Sequence, residues 1–305
     1  MLLILRYLRP LYSQAIFAIA VLFFLPLLSN ANSSTTVEIR FPAPSASRIN
    51  HDSYFIGLLE KALAASNQEN SQITYRLNPI QGQMNQQRIL SNLSREERVD
   101  VMWSVIDNDR ERTLRPVRIP LLKGLIGYRA LLIRKGDQLR FSHINSIADL
   151  QVFTAGQSVF WPDTKILRHN NLPVTTSSYY EYLFKMLEEK RFDYFPRGVN
   201  EVITEVQLHP ELEIEANLLL SYPSAMYFFV APDNSHLADR LERGLNTMIN
   251  NGEFDAFFYQ HPAIKRMLHE LNIQNRTIIK LENPLLPQSV PLDIPKYWLH
   301  PAAKE

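Results

Sequence analysis

Alternating hydrophobic and polar positions predict a strand and then a helix near the start of the chain. Residues 37–41 alternate as a half-buried strand does, and Pro42 ends the pattern. A helix is predicted next, with Ser53 as its N-cap. Its apolar face, at helical spacing, consists of Phe55, Leu58, Leu59, Ala62 and Leu63. The pattern then predicts a strand at 73–77, a helix at 84–93 and a strand at 99–104.

The same alternation continues through the rest of the chain. Residues 225–230 form a continuous apolar run between two prolines, too short for most helices, so we expect a buried strand there. The proline-rich tail from Asn283 is expected to wrap a surface without regular structure. Other predicted strands lie at 128–133, 151–155, 174–176 and 192–195, and other predicted helices at 147–150, 161–167, 179–187, 199–208, 237–249 and 264–271, with a stop and restart at Gly252. Strands that alternate with helices favour an α/β fold with crossover helices.

The segment 1–31 has the pattern of a secretory signal peptide. Two arginines form a basic start, residues 15–28 are an apolar run, and small residues precede a cleavage position after Ala31. The alternative is an uncleaved membrane anchor, because residues 2–28 are long enough to span a bilayer if the arginines are tolerated. In both cases we expect the rest of the chain to lie outside the cytoplasm, in the periplasm if the segment is cleaved.

Charge, cysteine content and missing motifs narrow the function. The 305-residue chain has a formal net charge of +1, and removal of the signal segment, which holds two arginines and no acidic residue, leaves −1. No basic surface is then expected for nucleic acid. The absence of cysteine excludes disulfides, thiolate nucleophiles and cysteine-ligated zinc. The chain also lacks the HExxH, GxSxG, phosphate-loop and glycine-rich nucleotide motifs. We therefore expect no enzyme, no metal and no cofactor, although numerous carboxylates leave a glycosidase-like pair open.

Four short stretches, taken in order, carry a family resemblance. They are VDVMWSVIDNDRER (99–112), SIADLQVFTAGQS (146–158), KRFDYFPRGVNEV (190–202) and NNGEFDAFFYQH (250–261). In the first, an aspartate opens a strand and an arginine follows twelve positions later. Together they resemble the amino-acid-binding branch of the type 2 periplasmic solute-binding proteins, extracellular solute-binding protein family 3. The resemblance covers about residues 37–274.

The resemblance implies a two-lobe α/β fold in which each lobe is a mixed sheet flanked by helices. Residues 32–127 and 231–305 would form the first lobe, and residues 128–230 the second. Two crossing hinge strands, at about 127–133 and 225–230, would join them. The ligand would lie in the cleft between the lobes, in keeping with the rule that ligands of open α/β sheets lie beyond the carboxyl ends of strands.

The resemblance implies five candidate ligand contacts in the first lobe. Arg112 matches the family arginine that binds a ligand carboxylate, a task for which the planar guanidinium is suited. Four arginines within nine residues leave a solvated face as the alternative. Ser104 and Asp107 follow the third strand, where the family places carboxylate-binding groups. Trp103 stacks on a ligand or belongs to the core, and Tyr54 forms an aromatic lid or packs the lobe.

In the second lobe, a strand meets a helix at Gly156, Gln157 and Ser158, where backbone N–H groups are suited to an anion. Trp161 and Asp163 follow directly and are candidates to line the cleft. The alternative is a helix start capped by Asp163, with a proline at its first position.

Arg197 is the remaining candidate, and it bears on the charge of the ligand. The family position that usually carries an aspartate for the ligand's ammonium group falls on Gly198, with Arg197 beside it. An α-amino acid would then bury an unpaired charge, unless Glu201 or Asp163 substitutes, and Arg197 would oppose a cation. We therefore expect a ligand whose second pole is neutral or anionic. The alternative for Arg197 is a turn residue that points into solvent.

Together these features predict a monomeric binding protein for a small polar or anionic solute, the substrate-binding component of an ABC-type transport system. Its expected partners are the solute and a membrane permease or receptor. The alternative is a ligand-sensing module that reports to a membrane receptor or signalling protein.

Overall fold

A computed structural model of the protein describes residues 35–43, 49–67, 73–80, 89, 92–93 and 99–299. The predicted signal segment 1–31 and most of the predicted helix 84–93 lie outside the described residues. Within the described ranges, no helix combines the length and the apolar character that crossing a membrane requires.

The strands are β1 (Thr35–Pro42), β2 (Ile73–Ile80), β3 (Met102–Val105), β4 (Arg115–Val117), β5 (Tyr128–Arg134), β6 (Ala155–Ser158), β7 (Val174–Ser177), β8 (Phe195–Gly198), β9 (Leu212–Ser221), β10 (Met226–Val230) and β11 (Thr277–Lys280). The helices are α1 (Ile49–Ala65), α2 (Asn108–Thr113), α3 (Gln138–Phe141), α4 (Ile147–Leu150), α5 (Pro162–His169), α6 (Tyr180–Glu188), α7 (Val202–Leu208), α8 (Ser235–Asn250), α9 (Glu253–Gln260) and α10 (Pro262–Glu270).

One group of strands forms the first lobe. β1 pairs with β2 in parallel, and β10 lies between β3 and β4, antiparallel to both. The N–H groups of Asp100 and Val101 donate to the carbonyl oxygen of Arg40, at 2.9 and 3.2 Å, which connects β1 to the chain entering β3. Helices α1 and α8 pack on each other and contact β2, β4 and β10. The apolar face predicted for α1 is buried in this contact.

A second group of strands forms the second lobe. β5 lies between β8 and β9, antiparallel to both, and β11 extends the sheet in parallel beyond β9. β6 and β7 form a parallel pair that joins β8 through the bond from the Gly156 N–H to the Tyr194 carbonyl, 2.8 Å. Alternate residues of β5 enter two different clusters of buried side chains, Leu132 one and Leu131 the other. This two-sided burial explains why the strand is apolar throughout.

Two crossing segments meet side by side between the lobes. The Tyr222 N–H, just after β9, donates to the carbonyl oxygen of Gly127, just before β5, at 3.2 Å. A Cβ atom on Gly127 would lie 2.0 Å from the Tyr222 carbonyl oxygen, so this approach requires glycine. The predicted division assigns β10 to the second lobe and β11 to the first. Strand pairing places each in the other lobe, because a strand belongs to the sheet in which its backbone hydrogen bonds are made.

The chain enters the second lobe again at β11, and the C-terminal segment that follows returns to the first lobe. Beyond β11, the side chain of Asn170 in the second lobe brackets the backbone of Glu282 with two hydrogen bonds of 2.8 and 2.9 Å. Val290 then packs into a buried cluster of the first lobe. Trp298 covers Gly124, and the Leu299 N–H donates to the Lys123 carbonyl oxygen at 2.7 Å. The tail therefore packs on the first lobe beside β3 and β10, and it contains one short 3-10 helix, Pro295–Tyr297, where the composition predicts no regular structure.

Several element boundaries differ from the sequence pattern. Ser53 lies inside α1, which begins at Ile49, so it is not the N-cap. β6 begins at Ala155, where the predicted strand ends, because residues 147–150 and the turn after them take up the preceding chain. The pattern does not predict β4, β9 or β11.

Helices α1 and α8 approach closely at a glycine, and this contact yields a prediction. A Cβ atom on Gly244 would lie 1.8 Å from the carbonyl oxygen of Ala62. Alanine is the better helix former. We nevertheless expect Gly244→Ala to lower the free energy of unfolding by about 1–3 kcal/mol, because the two helices must separate. Urea unfolding measures the change.

Arg243→Ala is the matched control, since Arg243 is exposed on the same helix. We expect it to leave stability nearly unchanged. A Gly244→Ala protein as stable as the unmodified one would show that the helices do not pack at this distance.

Candidate functional site

The carboxyl ends of β6, β7 and β8 lie at one edge of the second-lobe sheet. Val159 and Phe160 follow β6, Tyr179 follows β7, and Arg197 lies near the end of β8. Phe160 is 78% exposed, and the rings of Tyr179 and Tyr182 lie 5.3 Å apart, also exposed. This edge is where the sequence predicts the second-lobe part of the ligand site.

Arg197 is buried at this edge in an ion pair within its own lobe. Its Nε donates to Glu205 Oε2 at 2.7 Å, and its Nη2 donates to Glu205 Oε1 at 2.5 Å and to Glu201 at 2.9 Å. Tyr180 donates its hydroxyl to the same Glu205 carboxylate at 2.7 Å. Burial by itself would lower the pKa of Arg197, but the hydrogen bonds and charge of Glu205 outweigh it and raise the pKa. The guanidinium is thus charged and already paired.

Aromatic rings enclose the same guanidinium. Its central carbon lies 4.6 Å from the ring centre of Trp161 and 5.4 Å from that of Tyr180. Phe195, two residues earlier on β8, lies 5.1 Å away. A guanidinium over aromatic faces is stabilised by the ring electrons, more so when water is excluded. Trp161 and Arg197, both predicted site residues, therefore lie in direct contact.

A second ion pair, partly buried, connects the hinge to the start of α5. Arg129 donates from Nε to Asp163 Oδ1 at 2.6 Å, and from Nη1 to the carbonyl oxygens of Ile126 and Tyr128. Tyr222, on the other crossing segment, donates its hydroxyl to the same Asp163 oxygen at 2.7 Å. Burial would raise the pKa of Asp163, but the charge and hydrogen bonds of Arg129 outweigh it and lower the pKa. One carboxylate thus bonds to both crossing segments.

The predicted anion-binding backbone of β6 makes other hydrogen bonds. The Gly156 N–H donates to the carbonyl oxygen of Tyr194, just before β8. The Ser158 N–H donates to the side chain of Gln157 at 3.3 Å. Gln157 is fully buried and donates to the Pro196 carbonyl oxygen at 3.1 Å. A Cβ atom on Gly156 would lie 2.1 Å from the Phe192 ring. These three residues hold β6 against β8 in this structure.

The first-lobe candidates also have partners inside their own lobe. Arg112 donates to Asp109 at 2.8 Å on the surface of α2, with 76% of its side chain exposed. Asp107 is the N-cap of that helix and accepts from the Arg110 N–H at 2.7 Å. The two candidate guanidinium groups, that of Arg112 in the first lobe and that of Arg197 in the second, are thus both paired with carboxylates of their own lobes.

Trp103 and Ser104 lie on β3. The Trp103 ring stacks on Phe55 at 5.5 Å and 17°, and its Nε1 donates to Asp52 at 3.3 Å. Ser104 is buried opposite Tyr227 of β10. For Trp103 this is the core packing that the alternative interpretation of the sequence favours.

A cavity of about 600 Å³ lies between the lobes, lined by described residues of both. Its first-lobe wall comes from the start of α1, the loop before the hinge and the junction of α9 and α10. Its second-lobe wall comes from the loop after β8 and from α7. Tyr54 belongs to the first wall, fixed by a bond from its hydroxyl to the Leu121 carbonyl oxygen at 2.7 Å. The volume is typical of small-molecule sites.

No protein-family model and no curated protein sequence matches this chain. Solved structures do. A probable amino-acid ABC transporter extracellular-binding protein from Bacillus subtilis, ytmK, matches with a TM-score of 0.50 at 13% identity, over 76% of this chain and 99% of that one. This chain has the two-lobe fold of periplasmic binding proteins. At this identity the likeness establishes the fold, as the sequence resemblance predicts.

Two further structures with this fold match less closely. The L-cystine solute receptor of Neisseria gonorrhoeae, in its unliganded open conformation, has a TM-score of 0.49 at 18% identity, over 75% of this chain and 93% of that one. An ancestral arginine-binding protein bound to arginine has a TM-score of 0.44 at 17% identity, over 74% and 98%.

Within this binding-protein fold, the sequence did not point to most of the cavity wall. Ile203, His261 and Met267 line the cavity but look like ordinary core or cap positions in the sequence. The partner of Arg197 had a detectable signal, because Glu201 and Glu205 follow it at four and eight residues, on successive turns of a helix. Among the residues that the structure describes, no group of three histidine or acidic side chains is placed to hold a metal ion.

Proposed function

We propose that the protein binds a small solute in the cavity between its lobes, as the substrate-binding component of an ABC-type transport system outside the cytoplasm. The observation that carries the proposal is the cavity itself, since both lobes contribute to its wall. A ligand there touches both lobes at once and therefore favours one relative orientation over others. Export through the segment 1–31 and delivery to a membrane permease are part of the proposal.

The structure removes the basis on which the sequence favours a solute with an anionic pole. The expectation of an anionic pole depends on Arg197 as a free cation. Glu205 and Glu201 already pair with it, and Glu201 is 49% exposed at the same edge. The second-lobe edge therefore offers an anion no unpaired guanidinium. We propose a polar solute without a requirement for negative charge.

Spin labels test the proposal directly. The chain has no cysteine, so two introduced cysteines are the only thiols to which labels attach. Glu253→Cys labels the first lobe and Glu188→Cys the second, both at exposed positions. A thermal-shift panel of amino acids, their uncharged derivatives, sugars and small anions identifies binders. At about 100 times its Kd a ligand stabilises the protein by about 2.7 kcal/mol. We expect a binder to shorten the distance between the labels.

Two variants of α7 locate the site. Ile203 lines the cavity, whereas Gln207, one turn later, does not. We expect Ile203→Lys to abolish the ligand-dependent shift and Gln207→Lys to keep it. The proposal fails if no compound in the panel binds, if binding leaves the label distance unchanged, or if Ile203→Lys binds normally.

A further inference from the structure

The described residues that line the interlobe cavity present no unpaired charge. No aspartate, glutamate or lysine is among them. Arg266 is their one permanently charged group, and its Nε donates to Glu270 Oε1 at 2.7 Å, one turn further along α10. The charge of this arginine is therefore balanced on the helix that carries it.

The histidine of the wall is held in its neutral form. His261 is the N-cap of α10, and its Nδ1 accepts a hydrogen bond from the Ala263 N–H at 3.3 Å. A protonated imidazole has no lone pair at Nδ1, so the cap requires the neutral ring. Partial burial also lowers the pKa of His261. At neutral pH the ring adds a dipole to the cavity and no charge.

The rest of the wall combines apolar side chains with exposed hydrogen-bonding groups. The apolar part includes Val199 and Ile203 from the second lobe and Ile264 and Met267 from the first. Exposed side chains of Asn200 and Thr204 provide amide and hydroxyl groups. Such a wall favours an apolar body with a few neutral polar groups.

We infer that the cavity takes an uncharged ligand with an apolar body and amide or hydroxyl groups, and that it discriminates against free amino acids. This inference rests on the proposed function, which makes the cavity the ligand site. A zwitterion would bring its ammonium group to a wall without a carboxylate, and its carboxylate to a wall whose one guanidinium, that of Arg266, already bonds to Glu270, so the loss of hydration is poorly compensated. A neutral amide keeps hydrogen bonds with the exposed polar groups and buries its apolar part.

Four forms of leucine separate charge from shape. L-leucine is a zwitterion, N-acetyl-L-leucine an anion, L-leucinamide a cation and N-acetyl-L-leucinamide neutral. Calorimetric titration of the exported protein compares them at pH 7. We expect the neutral form to bind at least about tenfold more tightly than each charged form. Equal or tighter binding of any charged form overturns the inference.

A charge placed in the wall provides an independent test. Thr204 lines the cavity and is exposed, so Thr204→Glu is compatible with folding, and Gln207→Glu adds the same charge outside the wall. We expect Thr204→Glu to tighten L-leucinamide severalfold and Gln207→Glu to leave it unchanged. Unchanged L-leucinamide affinity in Thr204→Glu contradicts the inference.

The two proposals fail in different ways. Absence of binding by all four leucine compounds counts against the uncharged ligand class. The proposed function fails only if the wider panel also yields no compound that brings the two spin labels closer.

Discussion

Arg197→Met is expected to lower the free energy of unfolding by about 3–5 kcal/mol, because it leaves the Glu205 carboxylate buried without its cation. Methionine keeps the apolar contact with Trp161, so the loss reports the charge rather than the volume. Glu205 would retain one donor, the hydroxyl of Tyr180. Urea unfolding followed by tryptophan fluorescence measures the change.

Two further variants isolate the ion pair. Arg197→Met combined with Glu205→Leu removes both charges, and we expect it to recover most of the lost stability. Arg112→Met removes an arginine that is exposed and bonded to an exposed carboxylate, so its expected cost is within about 1 kcal/mol. If Arg197→Met and Arg112→Met destabilise the protein equally, Arg197 is not buried in an ion pair.

Asp163→Asn is expected to destabilise the protein by about 3 kcal/mol or more, because Arg129 would stay largely buried without a counter-charge. The amide can still accept from Tyr222, so the variant removes charge and preserves shape. Both crossing segments bond to this carboxylate, so we also expect a broader distance distribution between spin labels on the two lobes. Urea unfolding and the label distances measure the two effects.

The same substitution changes the acid dependence of stability. Arg129 lowers the pKa of Asp163 in the folded protein, below the value of about 3.9 for an unfolded aspartate. The ionised carboxylate therefore stabilises the fold fully above that unfolded pKa, and this contribution is lost as the pH falls through the folded pKa. Because asparagine does not titrate, we expect Asp163→Asn to lose less stability than the unmodified protein as the pH falls from about 5 into the acid range.

Asp149→Asn is the comparison for acid dependence, since the pKa of Asp149, at the exposed start of α4, is lowered by hydrogen bonds from Asn145 and Ser146 and not by an arginine. We expect the Asp149→Asn protein still to lose, as the pH falls, the part of the unfolding free energy that the ionised Asp163 contributes. Parallel stability curves of Asp163→Asn and the unmodified protein below about pH 4 would contradict the lowered pKa.

Particular elements show how far the sequence predicts the fold. Residues 225–230, apolar throughout and bounded by prolines, are correctly assigned to a buried strand, since β10 has neighbours on both edges. β9 has no such signal, because glutamates interrupt its apolar residues and one of them is buried through bonds to Gln138 and to backbone N–H groups. A pattern of hydrophobic residues cannot anticipate a strand whose polar side chains are satisfied inside the protein.

In the candidate site, the sequence predicts the position of a residue but not its bonding partners. The sequence identifies Arg197 as a residue of interest at the end of a strand, and the structure places it there. Its chemical role depends on Glu205, eight residues later, which turns a free cation into a neutral pair. Tyr54 lies in the cavity wall and also packs inside the first lobe, whereas His261 and Met267 are brought to that wall only by the packing of α9 and α10 against α1.

The sequence by itself determined the α/β class, the order of most strands and helices and the likeness to two-lobe binding proteins, because these follow from local periodicity and from motif order. Tertiary structure alone decided which lobe holds β10 and β11, which charges are paired and where a cavity remains between the lobes. The reason is physical: pairing and cavity shape depend on distances of a few ångströms between residues far apart in the chain, and such distances leave no periodic trace in the sequence.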